Sequence, residues 1–151
     1  VLFRSIGFAR AEKLTDEVQQ LRKWLKKKQN AGMEYMERNL EKREDVSLIL
    51  PGAKSVISLA VNYFTPYKHS RKNGYGKISR YAWGEDYHLH IWKMLEQLES
   101  KLAKIDENFK SKSYVDTGPV IDRVWAVRSG LGWQGKNGNV ITKEFGSWVF
   151  I

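Results

Sequence analysis

Apolar residues at Leu14, Val18, Leu21 and Leu25 return every three or four positions, which predicts a helix with one apolar face. Asp16 and Gln19 have the spacing of a capping pair, and Gly32 offers this helix a stop. Met33, Met36 and Leu40 predict a second, short helix. After the Pro51-Gly52 turn the pattern changes. Ser55 to Phe64 is almost continuously apolar or β-branched, the signature of a strand covered on both faces. Tyr87, Ile91, Leu95, Leu98, Leu102 and Ile105 define the best helical period in the chain, with Glu85 and Asp86 at its start, where acids complement the helix dipole. Ser113 to Asp116 reads as a strand. Val120, Val124 and Val127 predict a helix over 119–129, with Pro119 suited to its first turn and Gly130 to the residue just past its end. Val140 and Ile141 resume a strand within a hairpin over 139–151. Strands alternating with helices predict a layered α/β structure and leave the strand order open.

A chain of 151 residues with 42% hydrophobic side chains can bury one core. No apolar run approaches the roughly 18 to 20 residues of a membrane helix, and no charged-then-apolar leader precedes the first helix. The default is a soluble cytoplasmic protein with no membrane partner. The sequence has no cysteine, which excludes disulfides and leaves the compartment open. It opens on Val1 and stops within the apolar run SWVFI, and an unpaired aromatic edge invites aggregation. A fragment of a longer protein is the expectation.

The net charge is +9, from 26 Lys and Arg against 17 Asp and Glu, and it is unevenly placed. No acid falls between Asp45 and Glu85, while Lys54, Lys68, Arg71, Lys72, Lys77 and Arg80 do, interleaved with Tyr63, Phe64, Tyr67, Tyr75 and Tyr81. A second acid-free window, between Asp122 and Glu144, holds Arg123, Arg128, Lys136 and Lys143. Basic patches with aromatics suit phosphate contact and base stacking, although a solvated basic surface has the same composition. Residues 65–84 form a connection of about 20 residues, longer than the usual ceiling for structureless loops, which favours a binding loop.

The stretch VDTGPVIDRVWAVRSGLGWQGKNGN, residues 115–139, has glycines at 130, 132, 135 and 138. Each costs roughly 0.5 to 1 kcal/mol of chain entropy in regular structure, so a close approach of some group to that backbone is expected. Gly130, Gly135 and Lys136 satisfy part of a phosphate-cradling P-loop. Asn137 stands where that motif needs Ser or Thr, and the helix precedes the loop where a P-loop helix follows it, so the nucleotide reading fails. His88 and His90 are two apart and face different sides of a helix, so they form no i, i+4 metal pair. Tryptophans 83, 92, 125 and 133 read as core and pocket wall.

Six blocks in order carry a resemblance over nearly all of the chain: AGMEYMERN (31–39), PGAKSVISLAVNYF (51–64), GKISRYAWGEDYH (76–88), VDTGPVIDR (115–123), GLGWQGKN (130–137) and FGSWVF (145–150). Together they resemble the amino-terminal half of epoxyqueuosine reductase, a cobalamin-dependent iron-sulfur family that completes queuosine in the anticodon loop of tRNA. The resemblance implies an α+β fold, a central mixed sheet flanked by helices, of the nitroreductase and flavin-reductase-like type. Residues 1–151 would be the cobalamin-binding domain. The ferredoxin-like domain with two 4Fe-4S clusters, whose cysteines follow the matched region in the family, would lie outside this chain. An external electron donor, tRNA as substrate and a monomeric state are implied with it.

By resemblance Asp116 aligns with the family's proton donor. As a general acid it must hold its proton near neutral pH, and burial against an apolar macrocycle favours the neutral form. Read from the residues alone, Asp116 is a helix cap for the segment beginning near Pro119. The resemblance also implies cofactor contacts at Asn39, Ser79, Arg80, Arg123, Lys136, Asn137 and Val140. Ser79 could equally be turn chemistry, and Arg80 and Arg123 surface charges. Asp122 stands where Glu is common in the family. Two other readings remain: a non-catalytic basic RNA-binding module, and a corrinoid reductase acting on a small molecule, related to reductive dehalogenases.

Overall fold

The computed structural model describes residues 3–151. Its centre is a three-stranded sheet in the order β1 (Ser5–Arg10), β2 (Ser55–Asn62), β5 (Val149–Phe150). Strand β1 runs antiparallel to β2 from Ser5↔Ala60 to Arg10↔Ser55, and β5 pairs antiparallel with the far end of β2 through Val61↔Phe150. A separate antiparallel pair joins β3 (Trp133–Gln134) to β4 (Val140–Ile141). The expected mixed sheet is therefore corrected: every pairing among the described residues is antiparallel. Helices α1 (Thr15–Lys26), α2 (Leu40–Glu44), α3 (Tyr87–Ile105) and α4 (Asp122–Arg128) complete the α+β frame.

Helix α4 is short and central. It carries Trp125 into a cluster with Leu14, Val18 and Val46, and Ala126 into a second with Ala60, Leu131 and Val140. Trp125 is only 2% exposed, and burying a side chain of that size is worth roughly 2 to 3 kcal/mol. A third cluster, Val61, Ile91, Leu95 and Val115, seats α3 beside the sheet.

Strand β1 has no counterpart in the sequence reading, for a physical reason. Its inward positions are Gly7 and Ala9, while Phe8 faces out at 65% exposure, so the usual apolar-in alternation is inverted. Small residues are required there because a Cβ on Gly7 would stand 2.5 Å from Ser129 Oγ and 2.6 Å from the Ser129 carbonyl oxygen at the end of α4.

Several boundaries differ from expectation. Helix α1 begins after Leu14 with no side-chain cap, so Asp16 serves the dipole of the first turn and makes no capping pair with Gln19. It ends at Lys26, and Lys28, at φ 55°, turns the chain away well before Gly32. The second helix divides into a 3-10 turn at Glu34–Glu37 and α2. The outer half of β2 leaves Ile57 exposed, so that strand is not covered on both faces throughout. Residues 113–116 are irregular, and α4 starts at Asp122, beyond Pro119. The hairpin over 139–151 also resolves differently. Strand β4 folds back on β3, a tight turn closes between Thr142 and Gly146, and β5 crosses to the central sheet. Residues 65–84 are irregular apart from a 3-10 turn at Arg80–Ala82, as expected.

Candidate active site

Asp116 is the middle residue of a three-residue turn closed by the Thr117 N–H donating to the Val115 carbonyl at 2.6 Å. Its φ is +54°, left-handed backbone that Asp tolerates better than most residues but that still stores strain. Such strain persists only where the surroundings fix it, and here they do: Val115 is buried against Ile91 and Leu95 immediately before the turn. The carboxyl itself is 52% exposed. It caps nothing, since α4 has Ile121 at its N-cap position and no side-chain cap bond. The helix-cap reading of Asp116 is thereby removed. The burial expected for a general acid is not supplied by this chain's own side chains.

The first turn of α3 faces this carboxyl. Tyr87 Oη donates to Asp116 Oδ2, and His88 Nε2 lies 3.8 Å from the same oxygen. Asp86 caps α3 by accepting from the His88 backbone N–H at 2.9 Å, and its Oδ1 is also 2.8 Å from His88 Nδ1. The two N–H groups of His88 hold Asp86 below the usual carboxylate range. The Tyr87 ring is sandwiched between Phe150, at 4.0 Å and 10°, and His88, at 4.1 Å and 27°. Burial, then the Asp116 carboxylate, hold the Tyr87 phenol well above its ordinary range, so it acts as a donor.

Asp122, one turn from the site on α4, is pushed up to about 6 by burial and next by the charge of Asp116, against the pull of Arg43 and Arg123. Arg43 Nη1 donates to the Val120 carbonyl at 3.2 Å, and Arg123 Nη1 to the Gly138 carbonyl at 2.7 Å. The second bond ties α4 to the glycine-bearing turn.

Asp116, Asp122, Arg43 and Arg123 border one cavity of about 1020 Å³, at the upper end of the roughly 300 to 1,000 Å³ of most small-molecule sites. Of the residues expected from sequence, Asn39, Asp116, Arg123 and Val140 line it together. Asn39 is left-handed at φ 56° and makes no side-chain cap bond to α2. Val140 is buried in the core, so its contribution to the wall comes from the edge of β4.

Ser79, Arg80, Lys136 and Asn137 do not line it. Ser79 is exposed and precedes the 3-10 turn without capping it through its side chain. Arg80 donates to the Thr65 carbonyl at 2.8 Å and lies over the rings of Trp148, at 5.1 Å, and Phe64, at 5.4 Å. Lys136 is exposed, and Asn137 Oδ1 accepts from the Asn139 N–H.

The close approach expected at the glycines of this turn is met within the chain itself. A Cβ on Gly132 would meet the Ile141 carbonyl oxygen at 2.4 Å, so the β3–β4 hairpin closes only without one, and Gly130 at φ +74° takes the left-handed position after α4. Trp133, expected as core or pocket wall, is half exposed.

Residues 43–117 match the family model described as Epoxyqueuosine reductase QueG, DUF1730. The curated epoxyqueuosine reductase of Atelocyanobacterium thalassa is 47% identical over 153 residues, covering 99% of this chain and 48% of that protein. The epoxyqueuosine reductase structure from Streptococcus thermophilus superposes with a TM-score of 0.88 at 36% identity, over 98% of this chain and 40% of that one. A crystal structure of epoxyqueuosine reductase with an epoxyqueuosine-modified tRNA-Tyr stem loop gives 0.82 at 32% identity, over 99% and 40%. The chain therefore matches epoxyqueuosine reductases over nearly its whole length. It spans about half the length of the curated relatives it matches.

Within this family frame, sequence reasoning missed Tyr87, His88 and Asp122 as neighbours of Asp116. The first two lie in the quoted block RYAWGEDYH, but nothing in their spacing says that the α3 N-terminus meets a turn 29 residues later. No helix among the described residues is long and apolar enough to cross a membrane.

Proposed function

We propose that this chain is the amino-terminal, cobalamin-binding domain of a longer cytoplasmic epoxyqueuosine reductase, which reduces epoxyqueuosine to queuosine in tRNA. One observation carries the reading. Asp116 is held in a strained left-handed turn, caps no helix, and lines a large cavity. The two 4Fe-4S clusters and the contact with an external electron donor are assigned to the remaining length, because this chain has no cysteine to ligate iron.

The cavity wall fits a cobalamin. Such a group has an apolar ring face and a rim of amides, and the wall offers Val140, Val149 and Ile151 beside Asn39, Arg123 and Asn139. Asn39 and Arg123 would meet the rim, and Val140 the ring. Ser79 and Arg80 would approach from the 65–84 loop, and Lys136 and Asn137 from the glycine turn.

Reducing an epoxide to an alkene consumes two electrons and two protons and releases water. Cobalamin, when bound, supplies the electron pair at carbon. Asp116 donates the proton to the departing oxygen and is left as a carboxylate, which the Tyr87 hydroxyl stabilises by a charge-assisted hydrogen bond. Arg123 holds the glycine turn in place through Gly138. The exposed bases Lys68, Arg71, Lys72 and Lys77, with Tyr67 and Tyr75 exposed among them, suit the phosphates and bases of an anticodon stem loop.

The test is direct. Hydroxocobalamin added to the full-length protein should be retained with a shifted visible spectrum, and Asp116→Asn should keep that spectrum while losing turnover of epoxyqueuosine tRNA. A protein that retains no pigment supports the RNA-binding module, and turnover of a small halogenated substrate with no activity on tRNA supports the dehalogenase relative.

A further inference from the structure

The geometry points to His88 as the positioning and proton-supply residue for Asp116, oriented for that task by Asp86. This rests on the proposed role of Asp116 and extends it to the question of where the acid regains its proton. Each turnover consumes two protons, so the Asp116 carboxylate must be reloaded before it acts again.

Three features of one helix turn converge on that need. The 2.8 Å contact between Asp86 Oδ1 and His88 Nδ1 fixes the imidazole with its Nδ1–H donated to the carboxylate, which leaves Nε2 as the working nitrogen. That Nε2 is directed at Asp116 Oδ2 from 3.8 Å, a separation that a small movement of the strained turn closes to hydrogen-bond length. Finally, the His88 side chain is 30% exposed, so water reaches the imidazole, while stacking on Tyr87 prevents the ring from swinging away.

The step balances simply. The N–H bond at Nε2 breaks with its electron pair left on nitrogen, an O–H bond forms at Asp116 Oδ2, and solvent returns a proton to Nε2. His88 keeps its Nδ1 proton throughout, donated to Asp86. The arrangement has the logic of a carboxylate-oriented imidazole serving a third group, with a carboxylate in place of the usual nucleophile.

The experiment uses the full-length, cobalamin-loaded protein under multiple-turnover conditions with epoxyqueuosine tRNA and saturating chemical reductant, so that electron delivery is not limiting and every cycle requires Asp116 to be reloaded. His88→Gln is expected to lower the maximal rate by at least about 10-fold, within the range of lost acid-base assistance, with half-saturating tRNA changed less than about twofold. Added imidazole is expected to restore rate to His88→Ala, and Asp86→Asn, which can still cap α3, to show a smaller loss than His88→Gln. A His88→Gln rate within about twofold of wild type overturns the inference. So does a His88→Gln protein that sheds its cobalamin, or a His88→Ala loss that imidazole leaves untouched. Asp116→Asn, run alongside, separates the two levels. If it is fully active, the parent reading falls; if it is inactive beside an unimpaired His88→Gln, only the role of His88 falls.

Discussion

Tyr87 and Asp116 are joined by a hydrogen bond from the phenol to Oδ2 that spans 29 residues of sequence and connects the start of α3 to the turn before α4. The Tyr87 ring is independently held by its stack on Phe150. Removing only the hydroxyl therefore separates chemistry from packing. Tyr87→Phe is expected to keep the stack, and with it the thermal midpoint to within a few degrees. A hydrogen bond to a charged group is worth about 1.5 to 3 kcal/mol, so turnover should fall roughly 10- to 100-fold as the Asp116 carboxylate loses its donor. Paired rate and melting measurements check this, and a large drop in melting temperature at unchanged rate would contradict it.

Asp122 gives a pH prediction with a definite sign. Its folded-state pKa is raised from 3.8 to about 6, chiefly by burial, so the folded state favours the protonated form. The stabilisation from that preference is complete below about pH 3.8 and is lost as pH rises through about 6. Two pKa units correspond to about 3 kcal/mol. Asp122→Asn cannot ionise, so its stability relative to wild type should rise by up to that amount between pH 4 and pH 7. Denaturant midpoints of both proteins at the two pH values measure the difference, and a pH-independent difference would mean that the carboxyl is not held neutral.

Helices α1 and α3 were legible because each buries one face, and the apolar period of α3 from Tyr87 to Ile105 coincides with the helix observed. Strand β1 was illegible for the opposite reason: its buried face is Gly7 and Ala9, residues with almost no hydropathy to signal burial. At the site, Asn39, Asp116 and Arg123 came from motif blocks and meet at one cavity. The meeting of Tyr87 and His88 with Asp116 is a tertiary event, set by how Val115 packs on Ile91 and Leu95, and no local spacing encodes it. The glycine turn was read as room for a close approach, and at Gly132 the group that approaches is the carbonyl of Ile141.

That close approach carries its own prediction. A Cβ at Gly132 would stand 2.4 Å from a backbone oxygen, which cannot move aside as a side-chain tip can. Gly132→Ala should destabilise the protein by about 1 to 3 kcal/mol, the usual cost of overpacking. The loss should concentrate in the β3–β4 hairpin, where the Gly135 N–H donates to Asn139 at 2.8 Å. Faster hydrogen exchange at that amide in the variant is the expected sign, and unchanged exchange would mean that the hairpin tolerates the methyl group.

Arg123 tests whether the turn matters beyond its own folding. Its guanidinium is exposed, packs into no core cluster, and donates to the Gly138 carbonyl at 2.7 Å, so Arg123→Ala should leave global stability nearly intact while freeing the turn. One hydrogen bond from a charged donor is worth about 1.5 kcal/mol or more, which sets the expected weakening of cobalamin binding at roughly 10-fold. Arg123→Lys restores charge but not the planar donor geometry, so it should recover only part of the affinity. Spectral titration of the two variants with hydroxocobalamin orders them as wild type, Lys, Ala. Equal affinity for all three would mean that the anchored turn forms no part of the cofactor wall, and would move the search for its partner to the Asn39 side of the cavity.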